Sequence, residues 1–87
     1  MIVERFKALG DPVRLTIVRE LRHGQRCACE LAERADVTAP LLSHHLKVLR
    51  EAGLITGTKR GRWIDYDLDH DAVDELLAGF DREAVTG

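Results

Sequence analysis

The chain lacks the features expected of an enzyme or a membrane protein. Its 87 residues contain no apolar run approaching the roughly 20 residues needed to cross a bilayer, and nothing resembling a signal peptide. There is no glycine-rich phosphate loop, no assignable set of nucleophile, base and orienting residue, and little room for a substrate cleft. We therefore expect one cytoplasmic domain over residues 1–87, not an enzyme and without a membrane partner. A domain this small buries limited surface, so we also expect it to oligomerise.

Cysteine is scarce, and both cysteines lie together as Cys27 and Cys29. In a reducing cytoplasm such a pair is more typical of ligands or reactive thiols than of a structural bridge, and we expect a disulfide across one residue to be strained. A thiol oxidoreductase motif has two intervening residues and does not fit. Arg26 and the start of the following helix favour the thiolate, which binds soft ions. Apolar packing of the thiols is the alternative.

Charge is unevenly distributed along the chain. Residues 1–37 carry seven basic and six acidic side chains, residues 38–62 carry five and one, and residues 63–87 carry one and eight. Phosphate would attract the middle segment and repel the acidic one. We therefore expect the middle segment to bind nucleic acid and the acidic segment to lie on a dimer or solvent face.

Hydrophobic periodicity and capping residues predict a mainly α fold with a small β-hairpin, in the order α-α-α-α-β-β-α. Gly10 ends the first helix, and Asp11 and Pro12 begin the second. The fourth helix is bounded by Thr38 and Gly53. The predicted apolar stripes are Ile2, Val3, Phe6 and Leu9 in the first helix, Val13, Ile17, Val18 and Leu21 in the second, Ala28, Leu31, Ala32 and Ala35 in the third, and Leu42, Leu46 and Leu49 in the fourth.

The turn at residues 36–38 has the length of a helix-turn-helix connection, which makes the fourth helix a candidate recognition helix. A polar outer face alone is typical of any surface helix. The hairpin that follows strengthens the interpretation, because a basic tip over residues 57–61 could contact phosphate or enter the minor groove. The predicted DNA-binding residues are Thr38, Ser43, His44, Lys47, Lys59, Arg60 and Arg62. In the second strand we expect Ile64, Tyr66 and Leu68 to pack inward, opposite Trp63, Asp65 and Asp67.

Three segments resemble the ArsR/SmtB family of winged-helix bacterial metalloregulators: residues 8–15, residues 43–54, and the hairpin from Lys59 to Leu68. The resemblance covers nearly all of residues 5–70. It implies a dimeric winged helix-turn-helix repressor that binds two-fold symmetric operator DNA and releases it when a metal or metalloid binds. It also implies that the homodimer forms through the first and last helices, which an apolar stripe in the last helix supports independently: Val73, Leu76, Leu77, Phe80 and Ala84.

The resemblance assigns metal or metalloid sensing to the two thiols. Cys27 and Cys29 match the first two positions of the Cys-x-Cys-x-x-Cys motif of arsenic repressors, whereas Ala32 occupies the third. A third ligand could be water, hydroxide or a group of the other protomer, or it could be absent. Residues two apart on a helix point about 200° apart, so both sulfurs can bind one ion only if the helix begins at or after Cys27 or unwinds locally. The expected inducer is As(III) or another thiophilic ion such as Sb(III), Bi(III), Cd(II) or Pb(II), with no constitutive cofactor.

A second metal site of the family, on the last helix, is not expected in this chain. Asp67, Asp69 and Glu83 have the required spacing, but Phe80 stands in place of a histidine. We instead expect Asp69 and Asp71 to cap that helix, and His45 to be a packed, hydrogen-bonded residue. Three alternatives stay open: a winged-helix regulator that responds to thiol oxidation or persulfides, one with no metal inducer, and a protein-interaction winged helix without a DNA target.

Overall fold

The described chain forms five helices and three short strands. This computed structural model describes the backbone of residues 2–86 and the side chains of residues 2–79. Within residues 2–86, no helix is long and apolar enough to cross a membrane. The elements are α1 (Ile2–Leu9), α2 (Pro12–Leu21), β1 (Arg26–Cys27), α3 (Ala28–Ala35), α4 (Ala39–Glu51), β2 (Ile55–Arg60), β3 (Trp63–Leu68) and α5 (His70–Thr86).

The helices begin and end at the predicted capping residues. Asp11 Oδ2 accepts hydrogen bonds from the backbone N–H groups of Val13 (2.9 Å) and Arg14 (3.1 Å) at the start of α2. Thr38 Oγ1 accepts one from Leu41 N at 3.4 Å at the start of α4. After α4 the chain reverses at Gly53 (φ 75°), a left-handed conformation that glycine adopts without strain.

The core lies where α2, α3 and α4 pack against one another and against the base of the sheet. The predicted inward stripe of α4 is confirmed, since Leu42, Leu46 and Leu49 are all buried. Burial of these apolar side chains is the main stabilising contribution to a domain of this size. The largest side chains that are fully buried are Ile17, Leu21, Leu31, Leu49 and Leu54.

The sheet has one strand more than the predicted hairpin. β1 pairs antiparallel with β3, giving the strand order β1-β3-β2. The Cα partners are Arg26 with Tyr66 and Cys27 with Asp65. A strand of two residues has no alternation that a sequence pattern could reveal. We call the hairpin of β2 and β3 the wing, and Cys27, the residue just before α3, is paired with it.

The tip of the wing is also shorter than predicted. We expected a tip over residues 57–61, but β2 continues to Arg60 and β3 begins at Trp63, so only Gly61 and Arg62 form the turn. Gly61 has φ 63°, the positive value that two-residue hairpin turns require at their first position. Gly57 lies inside β2, where a Cβ would come within 3.0 Å of the Tyr66 ring.

Candidate nucleic-acid interface and thiol pair

The outer face of α4 presents the predicted recognition residues. Ser43, His44 and Lys47 are exposed, opposite the buried leucines of the same helix. Thr38 is also exposed, although its hydroxyl oxygen caps α4. Because the hydroxyl hydrogen is not used in accepting that bond, Thr38 can still donate to a phosphate oxygen. The four side chains therefore lie on an accessible surface that runs from the start of α4 to Lys47.

His45, the neighbour of His44, has a structural position. Its side chain is buried, and Nδ1 lies 3.1 Å from Arg14 Nη1 and 3.8 Å from Asp11 Oδ2. Arg14 Nε also donates to the carbonyl of Ala8 at 2.6 Å. These contacts fix α4 against the junction of α1 and α2, which confirms the expectation of a packed, hydrogen-bonded histidine.

The same cluster perturbs the carboxyl of Asp11. The hydrogen bond from the backbone N–H of Arg14 lowers the pKa of Asp11, and electrostatic interactions with His45 and Arg14 act in the same direction. Each of these interactions favours the ionised carboxylate. The N-cap of α2 is therefore charged at neutral pH, where it also interacts favourably with the helix dipole.

The wing carries three exposed basic side chains, Lys59, Arg60 and Arg62. One of them is engaged within the wing. Arg60 Nε donates to Asp65 Oδ2 at 2.6 Å, and Arg60 Nη2 donates to Asp65 Oδ1 at 3.3 Å. The hydrogen bond from Arg60 lowers the pKa of Asp65, and the same bond raises the pKa of Arg60. Among the side chains that the structure describes, no carboxylate pairs with Lys59 or Arg62.

The prediction of which β3 side chains face the core and which face solvent is partly wrong. Asp65 was predicted to face solvent, but its side chain is only 10% exposed, whereas Ile64, predicted to pack inward, is 41% exposed. Asp65 lies in the central strand, between Cys27 of β1 and Thr58 of β2. The bidentate contact with Arg60 compensates its burial, since a buried carboxylate needs a partner.

The two cysteines are joined by a disulfide, and their Cα atoms are 5.4 Å apart. The structure therefore has a bridge where ligands or reactive thiols were expected. The physical reason is the backbone: Cys27 is extended (φ −78°, ψ 160°) as the N-cap of α3, and the helix begins only at Ala28. The predicted condition for convergence of both sulfurs, a helix that starts at or after Cys27, is met.

The N-terminus of α3 and the Glu30 carboxylate act in opposite directions on a thiolate at the pair. Glu30 Oε1 accepts a hydrogen bond from Cys27 N at 3.2 Å, and both cysteines lie at the N-terminus of α3, whose dipole favours an anion. Cys29 is exposed and Cys27 half-buried. Arg26, expected to favour the thiolate, donates through Nη1 to the carbonyl of Gln25 at 3.1 Å.

The described side chains fit a site of two sulfurs for a thiophilic ion. Within residues 2–79, no group of three or more His, Cys, Asp or Glu side chains converges as a metal site. Asp69 Oδ1 accepts a hydrogen bond from Ala72 N at 3.0 Å, so it caps α5 as predicted. Phe80, Glu83 and Ala84, which bear on the predicted last-helix features, lie outside the described side chains.

Recognition helix, wing and thiol pair meet at one groove. Cys29 of α3, Ser43 of α4 and Arg62 of the wing all line it. A helix-turn-helix unit with an adjacent basic hairpin is the architecture of a winged-helix DNA-binding domain. Residues 11–56 match the sequence profile described as "Bacterial regulatory protein, arsR family". The chain belongs to this family.

Individual relatives of the arsR-family chain agree with this assignment. This chain is 46% identical over 76 residues to the arsenical resistance operon repressor of Bacillus subtilis, and the alignment covers 86% of this chain and 72% of that protein. It is 48% identical over 68 residues to the transcriptional repressor SmtB of Mycobacterium tuberculosis, covering 77% of this chain and 50% of SmtB. The chain thus spans about half the length of SmtB.

A solved structure gives the same result for the arsR-family fold. The crystal structure of a possible transcriptional regulator for arsenical resistance superposes with a TM-score of 0.83 at 34% identity, covering 91% of this chain and 82% of that one. The winged helix-turn-helix fold is therefore confirmed. The chain is a transcriptional repressor of the ArsR/SmtB type rather than an enzyme.

Two features of the candidate site in this arsR-family chain were not predicted from the sequence. One is β1, which pairs the thiol segment with the wing. The other is the Arg60–Asp65 contact, which a correct hairpin register would have predicted. With a two-residue turn at Gly61 and Arg62, Arg60 pairs with Trp63 and lies diagonally across from Asp65.

Proposed function

We propose that this chain is a cytoplasmic repressor whose α4 and wing bind double-stranded operator DNA and whose cysteine pair controls release. The observation that carries the proposal is the position of the pair. Cys27 lies in β1, which pairs with β3 of the wing. The two cysteines also lie at the start of α3, and α3 packs against α4. A change at these sulfurs therefore acts on both DNA-binding elements at once.

The proposed DNA contacts divide into two classes. The outward face of α4 would enter the major groove with Ser43, His44 and Lys47. Thr38, at the start of the helix, would contact a phosphate. Lys59, Arg60 and Arg62 of the wing would contact the backbone or the minor groove. Only the first class can read base edges in the major groove.

Two-fold symmetric DNA requires a dimer, and we propose that it forms through α1 and α5. Val3 and Leu77 are 57% and 56% exposed, and Phe6 is 41% exposed. A small domain gains stability by covering such side chains with a second copy. We therefore propose that residues 1–87 form one domain that both binds DNA and dimerises.

The dimer is tested by Leu77→Glu, which places a charge on the proposed interface. We expect a monomer by light scattering and at least tenfold weaker operator binding, because two linked half-sites are lost. Leu41→Glu, at an exposed leucine of α4, is the control for oligomeric state and should stay dimeric. A Leu77→Glu protein that remains dimeric overturns the interface.

For the inducer, the proposal is As(III) or another thiophilic ion bound by Cys27 and Cys29 in their reduced form. Such ions favour thiolate ligands, and the names of several relatives refer to arsenical resistance. Both sulfurs can reach one ion because Cys27 is extended. Binding would fix the junction of β1 and α3 and shift the wing and α4 away from half-site spacing.

The experiment compares the wild type with Cys27→Ser and Cys29→Ser on the same operator fragment. We expect both variants to bind DNA with wild-type affinity and to keep it when arsenite is added. Ala28→Ser, between the two cysteines, is the matched control and should release DNA normally. Loss of folding in both cysteine variants, by circular dichroism, would instead assign the thiols to packing.

A second function is favoured by the disulfide itself. Two thiols could be oxidised by a peroxide, losing two electrons and two protons while the peroxide O–O bond breaks and water forms. The Cys27–Cys29 bridge would then replace the metalloid as the signal. Release of operator DNA by hydrogen peroxide but not by arsenite would select this function, and restoration of binding by a phosphine reductant would confirm its reversibility.

A further inference from the structure

The groove beside Cys29 has an apolar lining in addition to the Ser43 and Arg62 side chains that are proposed to bind DNA. It lies between α3, α4 and β3, and its volume is about 320 Å³. That is at the lower end of the range of roughly 300–1,000 Å³ typical of small-molecule sites. Most of its lining is apolar, including Ala32, Ala39, Leu46 and Ile64, and the single tryptophan of the chain, Trp63, forms part of its wall.

The chemistry of the thiol pair leaves one valence open. Trivalent arsenic forms three bonds, and Cys27 and Cys29 can supply two. Ala32, where a third sulfur would stand, instead lines the groove. No third His, Cys, Asp or Glu converges with the pair among residues 2–79. A ligand that brings its own third substituent satisfies arsenic, and an apolar substituent matches the neighbouring surface.

We propose that the thiol pair and this groove together bind a mono-organoarsenical(III), with the arsenic on Cys27 and Cys29 and the organic group in the groove. The inference rests on the proposed sensing function and specifies its ligand class. Cys29 is the physical link, because its side chain belongs to both the pair and the groove wall. The occupied groove would lie between the recognition helix and Trp63 of the wing.

The binding step balances without an oxidant. For the hydrated form of phenylarsine oxide, C6H5As(OH)2, two As–S bonds form and two As–O bonds break. Each thiol proton leaves with one hydroxide as water, and arsenic remains trivalent. The protein must first be in its dithiol form, which a phosphine reductant provides without competing thiols.

The test compares phenylarsine oxide with methylarsonous acid, which has the same two As–S bonds but a smaller substituent. Affinity is followed by Trp63 emission, and stoichiometry by loss of free thiols. We expect one molecule and two thiols per chain, with the phenyl compound bound about tenfold more tightly. Burial of about 60 Å² of additional apolar surface corresponds to that factor.

Two variants separate the groove from the intrinsic thiol affinity of each compound. Ala39→Leu adds bulk at an exposed position of α4, and Ile64→Ala removes apolar lining from β3. Each should reduce the phenyl-to-methyl preference several-fold and leave methylarsonous acid binding unchanged. Both sites are exposed, so folding is not at risk.

The outcomes distinguish this inference from the function beneath it. Equal affinity of the two compounds, or a preference that neither variant changes, overturns the groove as a binding site. If both compounds still release the operator in that case, the thiol-sensing function is supported and only the groove as a binding site is excluded. If the reduced protein binds neither compound, both fail.

Discussion

Cys27 and Asp65 are direct partners across β1 and β3, and Asp65 in turn accepts two hydrogen bonds from Arg60 of β2. The thiol pair is therefore connected to a wing cation through all three strands of the sheet. β1 has only two residues, and Cys27 is one of them. A displacement of Cys27 is therefore expected to move its partner in β3 directly.

Asp65→Asn should weaken this connection without removing the sensor. We expect unchanged arsenite stoichiometry but a smaller difference between operator affinity with and without arsenite, by about fivefold, a size typical of allosteric coupling. Asp67→Asn makes the same charge change on the same strand, where Asp67 contacts Gln25 at 3.0 Å, and should keep the wild-type response. An undiminished response in Asp65→Asn would exclude this route.

Lys59 and Arg60 should differ as phosphate contacts. Lys59→Ala is expected to lower the slope of log K against log salt by about 1, since each neutralised phosphate contributes about that much. Arg60→Ala should lower it less, because Asp65 already offsets the Arg60 charge. The measurement is operator affinity at four salt concentrations. Equal reductions in both variants would mean that Arg60 leaves Asp65 on DNA.

His44 and Lys47, both exposed on α4, should separate specific from general contacts. His44→Ala is expected to cost about 1–3 kcal/mol on the operator and much less on random DNA, if the imidazole reads a base edge. Lys47→Ala should weaken both DNAs similarly. Equal losses on both DNAs for His44→Ala would assign His44 to the phosphate class.

Asp11 gives a prediction for pH dependence. Asp11→Ala removes the N-cap of α2 and should lower the free energy of unfolding by about 1 kcal/mol at pH 7. Because the folded-state pKa of Asp11 is lowered, the charge-dependent part of its stabilisation is present above the unfolded pKa. It is lost as the pH falls through the folded pKa.

Urea unfolding at pH 7 and near pH 3 measures this difference. The gap between wild type and Asp11→Ala should narrow at the lower pH. Asp11→Asn keeps a capping oxygen and should lose less stability than alanine at pH 7. A gap that widens on acidification would contradict the assigned direction of the pKa shift.

The sequence predicted the helices of this domain well because their boundaries are local. Asp11, Thr38 and Gly53 act within one or two turns of their own helix, and the leucine spacing of α4 is set by the helical period. These signals do not depend on the rest of the chain. The recognition face followed from the same periodicity.

Features that depend on tertiary pairing were predicted poorly. The burial of Asp65 and the exposure of Ile64 depend on which strands flank β3, and the hairpin register was set by where the turn begins. The groove beside Cys29 is built from α3, α4 and β3. No local pattern encodes the meeting of three separate elements.

The central claim is that Cys27 and Cys29 control operator release, and one titration tests it most directly. Arsenite is added to phosphine-reduced protein bound to its own labelled promoter fragment, and fluorescence anisotropy is followed. The account predicts release at about one ion per chain in the wild type and none in the Cys27→Ser, Cys29→Ser double variant. Sustained binding of the wild type, or equal release by the double variant, would contradict it.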